Sequence, residues 1–179
     1  MRERSDEELM ANWAAGEFGA FEALYERHRG PLYRYVLRQV SDPATANDLY
    51  QGSWEKVIRA RRSWRPGAPF RAWLYRIAHN HVVDHFRRQR PETELQPECM
   101  ESPGEGPEQA LGREHRESRL KEALAQLSPK QREAVLLKLE GGLDLQSIAN
   151  VLGVNRETAK SRLRYAVAQL KEALKERES

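Results

Sequence analysis

The stretch that most constrains this chain runs from residue 143 to residue 170. Asp144 stands where a helix N-cap belongs, and Gly153 stands where a left-handed residue ends a helix. Asn155 is a second N-cap candidate just beyond. Between Asp144 and Gly153, apolar residues recur at helical spacing: Leu145, Ile148, Ala149 and Leu152. The stretch therefore predicts a short helix, a tight turn and a second helix.

The second helix of this pair has two different faces. Its apolar stripe contains Ala159, Leu163, Ala166, Val167 and Leu170. Its other face carries Arg156, Lys160, Ser161, Arg162 and Arg164. Two helices joined by a short turn, with a basic second helix, are typical of a helix-turn-helix that enters the major groove of duplex DNA. The alternative is a plain helical hairpin whose cations only face solvent.

Helical signals continue through the rest of the chain and predict an all-α fold. Ser5 and Glu8 have the spacing of a capping box. Pro31 is predicted to open a helix, and Asp42-Pro43 to start another that covers residues 44–60. Gly52 lies in the middle of that helix, where it costs about 1 kcal/mol relative to alanine.

Residues 91–112 differ in character from the segments on either side. They contain four prolines and six glutamates and no lysine or arginine. This composition predicts an extended, solvated linker. The 179 residues then divide into two small helical domains, 1–90 and 113–179, joined by this acidic, proline-rich linker, and the second contains the helix-turn-helix.

The segment from residue 55 to residue 90 combines ten lysine or arginine residues and two carboxylates with aromatic side chains. A Pro-Gly-Ala-Pro sequence at 66–69 predicts a loop between two helices. A basic surface with exposed aromatic side chains binds single-stranded nucleic acid, because bases stack on aromatic faces. The alternative places the aromatic side chains in the helical core and leaves the arginines in solvent. Each of these two interpretations holds in part. Trp73 and Ile77 are predicted to be buried, and the aromatic side chains of the loop are predicted to face the nucleic acid.

Several classes of function lack support in the sequence. Cys99 is the only cysteine, and His81 and His85 have no third strong ligand, so we predict no metal. There is no glycine-rich phosphate loop, no nucleophile elbow and no paired-carboxylate site, so we predict neither cofactor nor catalytic residue. No apolar run reaches membrane-spanning length, and the first residues start no signal peptide. These observations predict a soluble, cytoplasmic protein with no membrane partner.

Four strings of the sequence together resemble one known family. They are Phe21-Glu22-Ala23-Leu24-Tyr25, Asp48-Leu49-Tyr50-Gln51, the eleven residues from Phe70 to Asn80, and the region from Leu127-Ser128-Pro129 to Lys160-Ser161-Arg162-Leu163. In this order they resemble the extracytoplasmic-function group of bacterial sigma-70 RNA polymerase sigma factors. The likeness covers nearly the whole chain outside the linker.

The resemblance implies a function and its partners. Such a protein binds core RNA polymerase at the beta-prime clamp and the beta flap, recognises promoter DNA, and helps to melt the minus-ten element. An anti-sigma factor commonly inhibits it. The implied polymerase-binding residues are Asp48, Gln51 and Trp54. The implied minus-ten DNA-binding residues are Trp64, Arg65, Phe70, Arg76, Asn80, Arg87 and Arg88, and the implied minus-thirty-five residues are Arg156, Lys160, Ser161, Arg162 and Arg164.

One departure from the family concerns the polymerase-binding helix. Gly52-Ser53 stands where the family usually has an acidic residue after the glutamine. The missing charge leads to the hypothesis that phosphorylation of Ser53 restores it. Two other functions stay open at this point: a helix-turn-helix regulator that acts without polymerase, and an enzyme acting on nucleic acid. The first accounts for residues 113–179 only, and the second lacks any metal or nucleophile set.

Overall fold

The computed structural model describes residues 2–40, 42–89 and 113–175, and within these ranges every regular element is a helix. The prediction of an all-α fold is confirmed. The predicted linker, 91–112, lies outside the described residues. The elements are α1 (Asp6–Ala14), α2 (Phe18–Val40), α3 (Pro43–Arg59), a 3-10 turn (Arg61–Ser63), α4 (Phe70–Gln89), α5 (Arg113–Ala125), α6 (Pro129–Leu139), α7 (Leu145–Leu152) and α8 (Arg156–Lys175).

Most helix starts are set by the capping residues that the sequence indicates. Ser5 forms a capping box with Glu8, and Ser128 forms another with Gln131. Asp42 accepts a hydrogen bond from the Thr45 backbone N–H, with Pro43 as the first residue of α3. Local side-chain bonds to the first backbone N–H groups thus fix where these helices begin.

The prediction that Pro31 opens a helix is wrong, because α2 continues through it. A proline within a helix normally clashes with the residue before it. That residue is Gly30, which has no Cβ to clash. The helix is interrupted further upstream, in the connection between α1 and α2. Gly16 lies there with a φ of +109°, a conformation that favours glycine.

The buried apolar residues of the described helices form one continuous core. We call α1–α4 the N-terminal unit and α5–α8 the C-terminal unit. The N-terminal unit buries, among others, Leu24, Leu32, Tyr35, Leu74 and Tyr75. The C-terminal unit buries, among others, Leu124, Leu136, Leu137, Ile148 and Ala159. The helical stripes of the sequence are therefore core positions, as the spacing of apolar residues predicts.

The two units touch each other. Helix α4 packs against α7, and α2 packs against α6. The Tyr75 hydroxyl donates a hydrogen bond of 3.3 Å to the backbone carbonyl oxygen of Glu140, which lies between α6 and α7. Across the described residues, none of the helices combines the length and the apolar character needed to cross a membrane.

Candidate nucleic-acid and polymerase interfaces

Helix α3 presents one polar face to solvent. Asp48 and Gln51 are both exposed on it, as are Glu55, one turn further on, and Ile58, which is 49% exposed. These positions fall within about 80° of one another on a helix of 3.6 residues per turn. Glu55 and Ile58 are not among the residues that the resemblance implies for polymerase binding. Glu55 and Ile58 follow Gln51 by four and seven residues. This helical spacing is the signal that places them on the same face as Gln51.

Trp54 does not belong to that exposed face, and its expected role as a polymerase-binding residue stays a prediction. Its side chain is 6% exposed and points into a cluster of aromatic rings. The ring centroid of Tyr25 lies 5.0 Å away and that of Phe21 5.9 Å away, both in edge-to-face contact. Trp54 lies about 60° around the helix from Gln51, at the edge of the exposed face, and its ring turns inward. It supports the interface from beneath.

The Gly52-Ser53 pair is explained by packing inside the N-terminal unit. A Cβ built on Gly52 would lie 2.4 Å from His81 Nε2, so α3 and α4 approach closely at this point. Ser53 is 0% exposed, and its hydroxyl donates a hydrogen bond of 2.8 Å to the Leu49 carbonyl oxygen. A kinase has no access to a hydroxyl in this position. The structure therefore contradicts the hypothesis that Ser53 is a phosphorylation site.

The loop between α3 and α4 is organised by aromatic side chains that point inward. Trp64 is 6% exposed, and its indole N–H donates to the Ala68 carbonyl oxygen at 3.2 Å, which closes the loop. Phe70 is fully buried against the rings of His28 and Trp73. Neither aromatic face is available to stack on a base. The prediction that Trp64 and Phe70 form part of an exposed DNA-binding surface is wrong.

The cations of this region are exposed. Arg65 lies in the loop, and α4 exposes Arg76, Asn80, Arg87 and Arg88. Arg76, Asn80 and Arg87 fall within about 40° of one another around the helix axis, so they form a line along one face. This line is what we call the α4 face; Arg88 lies about 80–120° from it around the axis, and Arg65 is exposed in the loop.

The residue before Asn80 points the other way. The His79 ring is buried, and its Nδ1 lies 3.4 Å from the Tyr35 hydroxyl. Burial lowers the pKa of His79, which favours the neutral ring at physiological pH. The positive charge on the exposed side of α4 therefore comes from its arginines and not from His79.

The helix-turn-helix forms as the sequence predicts. Asp144 accepts from the Ser147 backbone N–H at 2.8 Å, and Gly153 adopts φ +68° and ψ +33° to end α7. Asn155 accepts from the Thr158 backbone N–H at 2.8 Å and starts α8. Burial of Ala149 and Ala159 lets the two helices pack closely. This geometry confirms the helix-turn-helix backbone, while the DNA-binding role of its cations stays a prediction.

Helix α8 separates its predicted DNA-binding residues into two sets. Arg156, Lys160 and Arg164 are exposed and spaced four residues apart along what we call the α8 face. Ser161 and Arg162 are half-buried and line a cleft of about 450 Å³ between α8 and the start of α6. The structure therefore does not bring all five residues onto one surface.

Among the residues that line the cleft but were not predicted to bind DNA are Lys130, Gln131 and Tyr165. Tyr165 is 56% exposed, and the Arg164 guanidinium lies 5.7 Å from the centre of its ring. Burial raises the pKa of nearby Glu133, while the positive charge of Arg162 opposes that rise. Lys130 and Gln131 follow the N-cap Ser128 and so lie in the first turn of α6. This position next to a helix start was the signal in the sequence that could have made them candidates for the cleft.

Comparison with known proteins identifies the same two regions. Residues 24–92 match Sigma-70 region 2, and residues 117–170 match Sigma-70, region 4. Among curated relatives, the ECF RNA polymerase sigma factor SigL of Mycobacterium tuberculosis is 34% identical over 175 residues, which cover 91% of this chain and 93% of SigL. The ECF RNA polymerase sigma factor BldN of Streptomyces coelicolor is 33% identical over 91% of this chain, which spans 63% of the length of BldN.

Solved structures show the same fold. CnrH, determined in complex with the cytosolic domain of CnrY, superposes with a TM-score of 0.70 at 25% identity, covering 95% of this chain and 97% of CnrH. The sigma factor RpoE of Bartonella quintana, determined with the anti-sigma factor NepR, superposes with a TM-score of 0.67 at 24% identity, over 87% of this chain and 96% of RpoE. Together with the sequence matches, this shows that the chain belongs to the ECF group of the sigma-70 family of RNA polymerase sigma factors.

Proposed function

We infer that this sigma factor binds core RNA polymerase, directs it to specific promoters and helps to melt the minus-ten element. The proposed division is by domain: residues 1–90 dock on polymerase and recognise the minus-ten element, residues 113–179 recognise the minus-thirty-five element, and residues 91–112 link them. The observation that carries this proposal is the presence of two separate exposed cationic surfaces, the α4 face and the α8 face, within the two family regions.

The two faces suit different forms of DNA. The α8 face lies on the second helix of a helix-turn-helix, which is the element that reads base edges in the major groove of a duplex. The α4 face places the amide of Asn80 between the arginines 76 and 87. An amide can hydrogen-bond the edge of an unpaired base while the arginines hold the phosphates on either side. Unpairing a base costs a few kcal/mol, and a binding site for that base offsets the cost.

The polar face of α3 is the proposed site of polymerase binding. Asp48, Gln51 and Glu55 supply two carboxylates and an amide, and Ile58 adds an apolar contact at one end. A mixed polar surface with one exposed apolar residue is typical of a protein interface that forms and dissociates. We propose the beta-prime clamp as its partner and the beta flap as the partner of the second domain, because the family resemblance implies both.

The chemistry of transcription belongs to polymerase in this proposal, and the sigma factor needs no catalytic residue. We place its action in the cytoplasm, where core polymerase works. We also propose a protein inhibitor of the anti-sigma kind, because CnrH was solved with a protein partner, the cytosolic domain of CnrY.

Binding to purified core polymerase, followed by run-off transcription on genomic fragments, tests the proposal. We expect the wild-type chain to co-elute with core and to direct initiation at discrete start sites. Asp48→Arg should weaken the association at least several-fold, because it reverses a charge on the α3 face. Glu172→Arg is the matched control, since Glu172 is an exposed carboxylate on α8, in the C-terminal unit. A chain that binds DNA but never core polymerase would instead be an independent helix-turn-helix regulator.

A further inference from the structure

The connection between α6 and α7 is held by the N-terminal unit through a single carboxylate. Arg34 Nε donates to Glu140 Oε2 at 3.0 Å, and Arg38 Nη1 pairs with Glu140 Oε1. The Glu140 side chain is 8% exposed and that of Arg38 is 17% exposed, so this ion pair is largely shielded from water, whereas Arg34 is 48% exposed. The partners are more than 100 residues apart in the chain and lie in different units. One buried carboxylate thus joins α2 to the C-terminal unit.

The backbone of the same turn is also seated against the N-terminal unit. The Tyr75 hydroxyl donates to the carbonyl oxygen of Glu140, and Gly141 is buried. Gly142 has φ +63°, and a Cβ at this position would lie 2.9 Å from Arg71 Nη1. The turn therefore lies against α2 and α4, and the left-handed backbone of Gly142 favours glycine there.

The contact beside this turn is polar and incomplete. A cleft of about 610 Å³ lies between α1, the start of α4 and the start of α7. Charged side chains from both units line it, including Asp6, Arg27, Arg71 and Asp144. Polar contacts between domains are typical of interfaces that open, because the groups can be solvated again when they separate.

The closed arrangement conflicts with simultaneous use of the two DNA-binding faces. Helices α4 and α8 both pack against α7, so their axes can be at most about 20 Å apart. Elements centred at minus ten and minus thirty-five are about 25 base pairs apart, which is about 85 Å along a duplex at 3.4 Å per pair. The two units must separate before both elements can be bound.

We propose that Glu140, with Arg34 and Arg38, is a latch that holds the sigma factor in a closed state unable to bind both promoter elements. This regulatory role rests on the proposed function, since it controls access to the two DNA-binding faces. Opening exchanges the two ion pairs for hydration of the same groups. The two units also share one continuous apolar core, so opening exposes some apolar surface as well as the charged groups, and the ion pairs add to that contact.

Charge reversal tests the latch. Glu140→Arg should open the chain, which increases the radius of gyration measured by small-angle X-ray scattering. The triple variant Arg34→Glu, Arg38→Glu, Glu140→Arg restores opposite charges and should return the radius toward that of wild type. Glu172→Arg is the matched control, because it makes the same change at an exposed site on α8. Helical circular dichroism and a thermal melt establish whether each variant is folded. If Glu140→Arg does not fold, Glu140→Gln is measured in its place as a milder change.

Run-off transcription with limiting core polymerase supplies the functional measurement. We expect a several-fold gain for Glu140→Arg and a return toward wild type for the triple variant. A folded Glu140→Arg or Glu140→Gln variant with the wild-type radius of gyration would overturn the latch. Opening without any gain in transcription would also overturn it as a control on promoter use. If wild type and all variants fail to bind core polymerase, the proposed function is overturned. The scattering result alone then shows whether Glu140 holds the two units together.

Discussion

The α4 face and the α8 face have similar charges but different surroundings. Each presents polar or cationic side chains along one side of a helix. Beside the α8 face, Tyr165 is exposed and contacts Arg164. Beside the α4 face, Trp64 and Phe70 are buried and hold the loop and the helix in place. An aromatic residue in a basic stretch is therefore no indication of base stacking until its position relative to the core is known.

The largest expected effect tests whether Phe70 acts through stability. Phe70→Ala removes a fully buried ring and should lower the free energy of unfolding by about 3–5 kcal/mol. Urea denaturation followed by circular dichroism measures this. Arg65→Ala, in the exposed loop nearby, should leave the midpoint unchanged. Equal stability of wild type and Phe70→Ala would remove the contrast between the two faces.

The second prediction separates the tasks of the two faces. Arg164→Ala should weaken binding to an upstream duplex by about 1–3 kcal/mol while leaving opening of pre-bound DNA largely intact. Lys171→Ala, an exposed cation further along α8, is its control. Duplex binding is measured by fluorescence anisotropy at fixed salt, in the presence of core polymerase.

Asn80→Ala provides the converse of that prediction. It should reduce promoter opening, followed by permanganate reactivity of unpaired thymines, by about 1–3 kcal/mol and change duplex binding little. Gln89→Ala controls for loss of an exposed amide on the same helix. If both variants lose both activities to the same extent, the division of tasks is contradicted.

The third prediction concerns acid stability of the N-terminal unit. Burial by itself raises the pKa of the Asp6 carboxyl, but the neighbouring His28 and Arg27 outweigh it and lower the pKa from 3.8 to about 2. A carboxyl with a depressed pKa in the folded state adds stability above pH 4 and loses it as the pH falls toward 2. We expect about 1–2 kcal/mol to disappear over this interval.

Comparison of wild type with Asp6→Asn measures that contribution. The variant should be less stable at neutral pH and should show a flatter decline between pH 4 and pH 2 in urea denaturation. Parallel stability curves for the two proteins would show that Asp6 does not carry the effect. This ion-pair cluster lies in the N-terminal unit, where Arg27 bridges α2 to α1.

The smallest expected effect tests the close approach of α3 and α4. Alanine in place of Gly52 should add about 1 kcal/mol through helix propensity. In the wild-type background the new Cβ meets His81 Nε2, so that ring must move and the gain should be lost. In a His81→Ala background the gain should reappear. An equal gain in both backgrounds would show that His81 does not restrict this site.

Local features of the fold follow from local chemistry, and they could be predicted. Asp42, Asp144 and Gly153 act through bonds and dihedral angles within four residues of themselves, so the pattern of the sequence contains all that is needed. The exposed residues Asp48, Gln51, Asn80 and Arg164 were also found, because charged and amide side chains on the polar stripe of an amphipathic helix face solvent.

The sequence by itself determined an all-helical chain, its helix-turn-helix and its sigma-factor family. Only the tertiary structure decided that Trp54, Trp64 and Phe70 are buried, that Ser53 is inaccessible, and that Gly52 accommodates His81. It alone brought Glu140 to Arg34 and Arg38. The physical reason is range: caps and helical periodicity act over a few residues, whereas burial and ion pairing depend on which distant helices pack together.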